Sequence, residues 1–159
     1  MRKGILLISK VALVSVFILT TSCSSDDDTE TIIETVTIDS SLPNGTLVAS
    51  RVGSFVAESG TPTAGTAELG TDDDSTSFIH FESDFTTELG TGTVGIFLST
   101  SAVYTPDPAN GNPDLMLIGN AAANGEKFIK LSAAPDAKYT HIILWCATAN
   151  IPFGNAELN

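Results

Sequence analysis

With 19 acidic side chains against seven basic ones in 159 residues, the chain carries a formal charge of −12; a surface this acidic repels phosphate backbones and excludes nucleic acid as a natural partner. The first 22 residues hold three of the basic residues and none of the acidic ones, so the other 137 carry four against 19, a formal charge of −15. That length is one domain's worth, able to hide roughly 70% of its unfolded surface, and few Lys and Arg beside much Thr, Ser, Gly and Asp fit an extracellular β module kept soluble by its charge.

Residues 1–22 read as a leader. Arg2, Lys3 and Lys10 supply positive charge, 11–19 is a short apolar run, and Thr20-Thr21-Ser22 precede Cys23. The run is too short, and too interrupted at Ser9-Lys10, for a membrane span. A cysteine directly after such a run resembles a bacterial lipobox, in which Cys23 is acylated and becomes the new N-terminus. Thr20 stands where that pattern usually has leucine. An ordinary signal peptide with Cys23 as a stray thiol is the alternative. Acyl chains contribute roughly 0.8 kcal/mol per buried CH₂, so two or three of them hold a protein on a membrane effectively permanently. Residues 23–45 follow as an acidic tether and extended arm. Ser24-Ser25-Asp26-Asp27-Asp28 is a solvated, self-repelling run and resembles the signal that sends lipoproteins to the outer face of some Gram-negative outer membranes. Residues 29–39, rich in Thr, Ile and Val, read as a first strand or an arm, and Pro43-Asn44-Gly45 as a turn.

From 46 to 159 the pattern is that of one all-β domain. Turn signals recur at 60–62, 70–75, 90–92, 106–113, 124–125 and 135–136. Between them lie predicted strands at 47–57, 65–69, 77–81, 94–99, 115–118, 127–131 and 141–147, with a short closing strand. This rhythm without helical periodicity predicts an antiparallel β-sandwich or flattened barrel.

The stretch 139–158 holds the one tryptophan, Trp145, and Cys146, the one cysteine besides Cys23. Residues 141–147 are too short and too β-branched for a helix. Alternation puts Ile142, Leu144 and Cys146 on one face and His141, Ile143, Trp145 and Ala147 on the other. Both faces are largely apolar, so both need covering: one by the partner sheet, the other by the N-terminal arm, a long loop or a bound group. The face of Ile142, Leu144 and Cys146 is read as the border of a pocket, with Trp145 beside it, or else as sealed core. A turn is predicted over 150–154.

W-C, six residues, F-G, one residue and A-x-L resemble the C-terminal signature of the DM-thirteen domain, an electron-transfer family. Gly53-Ser54-Phe55, Gly65–Leu69, Asp84-Phe85 and Gly95–Ser99 resemble its earlier blocks in order. Gly125–Leu131 resembles a further block, with Phe128 in place of its tyrosine and Ser132 in place of its proline. The resemblance spans about 53–158 and implies an all-β module whose single cysteine, here Cys146, does redox chemistry bare or through a group such as haem.

Read from the residues themselves, the chemistry is sparse. Nucleophilic catalysis at Cys146 needs a base, and His141 lies on the opposite strand face. His80 approaches only through the fold. Haem needs an axial ligand, for which Cys146, His80, His141 and Met116 are the candidates; Met116 equally reads as core. An apolar site is expected to raise the Cys146 thiol pKa. The runs Asp72-Asp73-Asp74 and Asp107–Asp114 lack the glycine and glutamate of a calcium loop and read as solvated turns. No zinc-ligand spacing and no hydrolase motif appears. Two functions remain: a surface-anchored redox module working with a partner protein, and a non-catalytic surface module binding a protein or glycan.

Overall fold

The computed structural model describes residues 41–159; the leader, Cys23, the acidic run after it and the strand or arm expected at 29–39 lie outside them. Eight strands follow in chain order: β1 (Val48–Ala57), β2 (Thr66–Thr71), β3 (Ser77–Phe81), β4 (Val94–Ser99), β5 (Leu115–Asn120), β6 (Lys127–Lys130), β7 (His141–Cys146) and β8 (Ile151–Glu157). All pairings are antiparallel, in the order β5-β4-β7-β8-β1-β2-β3-β6, which curls into a nearly closed, barrel-like sheet left open along β5 and β6. The all-β expectation therefore holds. Strands 77–81 and 94–99 have the bounds read from the sequence, and the others shift by one or two residues at an end, apart from the longer closing strand.

β1 makes the curl possible. Its first part pairs with β2 and its end, Phe55–Ala57, pairs with β8. An irregularity between Ala49 and Arg51 bends it, as bulges do where a sheet turns a corner. Gly53 admits the crossing tail: a Cβ there would lie 2.2 Å from the Glu157 carbonyl oxygen. Val52 and Asn159 exchange backbone hydrogen bonds of 3.0 and 3.1 Å beside it.

Inward-facing residues fill the barrel. Ile79 and Phe81 of β3, Val94, Ile96 and Leu98 of β4, and Ile142, Leu144 and Cys146 of β7 belong to one buried cluster. Phe81 packs edge-on to Phe55 with ring centres 5.1 Å apart and tilted against Phe85 at 4.5 Å. Three aromatic rings from separate segments thus knit β1, β3 and the loop after β3, each ring removing a large apolar area from water.

Two expectations about β7 need correction. The turn after it spans 147–150, ending at Asn150 with φ 55°, and Pro152 lies inside β8. Proline fits because β8 pairs with β1 only over Gly154–Ala156 and because Pro152 faces a register irregularity at Leu144/Trp145, the setting in which strands accept it. The face of Ile142, Leu144 and Cys146 is barrel interior, all three fully buried, and not a pocket wall. Curling the sheet on itself puts this face inside without a separate partner sheet.

The acidic turn between β2 and β3 spends its oxygens internally. Asp72 accepts from the amides of Asn44 (3.0 Å), Asp74 (3.0 Å) and Thr76 (2.8 Å). The Asn44 amide, opposed by partial burial and helped by those of Thr76 and Asp74, holds the Asp72 carboxyl below its ordinary range. The 107–114 loop is likewise self-satisfied: Asn110 donates to Asp107 and the Asp107 amide to Asn112, both at 2.8 Å. Among the described residues no helix is long and apolar enough to cross a membrane.

Candidate functional site: an aromatic groove outside the barrel

The outer face of β7 carries the candidate site. Trp145 stands opposite Gly95 of β4 in register, and a glycine there leaves room above the sheet. The Phe97 ring fills part of that room; a Cβ on Gly95 would lie 2.7 Å from Phe97 Cε2. Tyr104, from the long β4–β5 loop, stacks on Trp145 with centres 4.1 Å apart and planes 15° apart. It also meets Phe97 edge-on at 5.2 Å. This loop is therefore a cover for the outer face of β7, one of the three covers the sequence leaves open. Beside the rings runs a groove of about 410 Å³, lined further by Thr93, Pro106, Leu117, Asn120, Ala147 and Asn150. Leu117 is 60% exposed along it. The lining holds flat apolar surface, two amides and the hydroxyls of Thr93 and Tyr104, and no charged side chain.

Cys146 sits under the opposite surface of the same strand. The 147–150 turn folds back so that the Ala149 amide donates to Sγ at 3.4 Å, and the Thr91 hydroxyl lies 3.7 Å from the sulfur. The Ala149 amide, opposed by burial and helped by Thr91, holds the thiol pKa below its ordinary value. This reverses the expected direction: the strand is apolar, as read, but a turn amide three residues beyond its end reaches the sulfur. Lowered pKa notwithstanding, Cys146 has no exposed surface.

The other ligand candidates are dispersed. His141 is on the outer face, its Nδ1 2.9 Å from Thr140 Oγ1. Met116 lies half-buried on β5 against the core. His80 is on β3 among Glu68, Glu82 and Glu126. The sulfur's polar partners come from Thr91 and Ala149, not from a histidine. Ile142 and Leu144 have no free surface, whereas Trp145, grouped with them in the sequence reading, lines the groove on the other face. Sequence reasoning missed Tyr104 and Phe97; the only trace was an aromatic residue inside a long turn-rich segment. It also missed the three glutamates around His80, which alternation on adjacent strands could have aligned. Comparison of the chain with protein-family models, with curated proteins and with solved structures finds no match.

Proposed function

We propose that this chain is a lipid-anchored, non-catalytic surface module that binds a neutral saccharide in the Trp145–Tyr104 groove. The observation that carries the reading is the uncharged groove on a strongly acidic chain, with stacked rings beside Asn120, Asn150 and Thr93. Binding sites for small ligands combine such apolar surface with a few placed polar groups. A sugar ring matches both, having an apolar face to lay on an aromatic ring and hydroxyls for amides. The formal charge of −15 on residues 23–159 disfavours acidic ligands. Affinity electrophoresis through gels containing neutral or acidic polysaccharides tests this. Retardation in a neutral gel is expected, and Trp145→Ala should abolish it; unaltered migration across a broad neutral panel would sink the reading. The anchor rests on Cys23, and Cys23→Ser is expected to move the protein from the membrane fraction to the soluble one. Retention on the membrane would mean that something else holds it. The acidic run after Cys23 supports an outward-facing position on an outer membrane.

A second reading is a redox module of the DM-thirteen kind, with Cys146 as a thiol or as ligand to a group such as haem. The Ala149 amide and Thr91 hydroxyl aimed at the sulfur favour it; the fully buried position does not. A Soret band in the absorption spectrum of the purified protein would revive it.

A further inference from the structure

The cluster around His80 lies on β2, β3 and β6, away from the groove on β4 and β7. The strand register sets Glu68 of β2, His80 of β3 and Phe128 of β6 side by side, and Glu82, two residues after His80, shares its face. Phe128 stacks on the imidazole at 4.2 Å with planes 4° apart, fixing the ring. His80 is 7% exposed. Its Nδ1 lies 3.3 Å from Glu68 Oε2 and 3.5 Å from Glu82 Oε1, and its Nε2 lies 3.1 Å from Glu126 Oε1.

Hydrogen bonding alone leaves this arrangement incomplete. Nδ1 carries at most one proton, and two carboxylate oxygens face it. Three carboxylates around one imidazole stay net negative whether the ring is neutral or protonated. A cation between Nδ1 and the two oxygens satisfies all three atoms. Zinc bonds of about 2.0–2.2 Å to nitrogen and oxygen, arranged tetrahedrally, set ligand atoms roughly 3.3–3.6 Å apart. Both separations from Nδ1 fall in that range, and all three atoms lie within 4.8 Å of one another. Metal on Nδ1 leaves the proton on Nε2, facing Glu126, and a carboxylate accepting the far ring N–H is the usual companion of a metal-bound histidine. The Glu82 side chain is 38% exposed, so water can reach the remaining position.

We propose that Glu68, His80 and Glu82 bind a divalent cation of the zinc class, with Glu126 orienting the imidazole. The test uses the full-length chain in detergent, stripped with EDTA and titrated calorimetrically with zinc chloride, with thermal unfolding followed in parallel. One equivalent is expected to bind saturably and to raise the unfolding midpoint. His80→Gln and Glu82→Gln should each weaken that binding at least about tenfold and remove the shift, and Glu126→Gln should weaken it by about tenfold or more. Glu82 is partly exposed, so its variant keeps the test open if His80→Gln fails to fold. His141→Gln should change nothing. Absence of one-equivalent binding, or binding unaltered in both Glu82→Gln and a folded His80→Gln, would overturn the site.

Discussion

Phe81→Ala is expected to destabilise the domain by about 3–5 kcal/mol, the range for deleting a fully buried phenylalanine. The Phe81 ring has no solvent exposure and touches Phe55 and Phe85, which also pack on each other with centres 5.3 Å apart. Removing it leaves a void between β1, β3 and the loop after β3, and a strand paired on both sides cannot move far to fill it. Reversible urea unfolding measures the change. A loss under about 1 kcal/mol would mean that the three rings do not hold the barrel together as their geometry indicates. Phe81→Leu, which keeps most of the volume, should lose far less.

The second large effect concerns the thiol. In the folded protein, modification of Cys146 by an aromatic disulfide reagent is expected to be on the order of 100-fold slower than in denaturant, because reagent reaches the sulfur only through opening of the barrel end. The Ala149 amide favours the thiolate, but a favoured thiolate that reagent cannot reach stays silent. Cys146→Ala should cost about 1–2 kcal/mol through lost packing against the core. Native-state modification as fast as in denaturant would show that the 147–150 turn opens freely, and would return the redox reading to first place.

What was legible in the sequence was local. Turn signals on either side of 77–81 and 94–99 gave strands with the observed bounds, since short apolar runs between turn residues have few other places to go. Inward and outward faces of β7 were also correctly separated. What was not legible depends on approach between distant segments. Nothing in H-I-I-L-W-C shows that Tyr104, more than forty residues earlier, lays its ring on Trp145. Nor does it show that the Ala149 amide turns back onto Cys146, which reversed the expected pKa direction. Pro152 read as a turn residue because its ladder gap became visible only once β1 was seen to stop pairing at Gly154. Alternation could put Glu68 and Glu82 on the face of His80, but their register across β2, β3 and β6 is set by the barrel as a whole.

The pairing of β1 with β8 bears on how the molecule acquires its shape. Among the described residues the first and last strands are neighbours, and the Val52–Asn159 exchange lies just past the end of β8. The loop that this contact closes is nearly the whole domain, so its entropy is lost before most of the reward arrives. Folding of such a topology belongs to the millisecond-to-second class and not the microsecond class. A chain emerging from its N-terminus has no β8 partner for Phe55–Ala57 until Ile151–Glu157 is available. Seven strands alone present an unpaired β1 end and β7 edge, a sticky state prone to intermolecular pairing. Closure of the sheet through β1 and β8 therefore waits on the synthesis of β8.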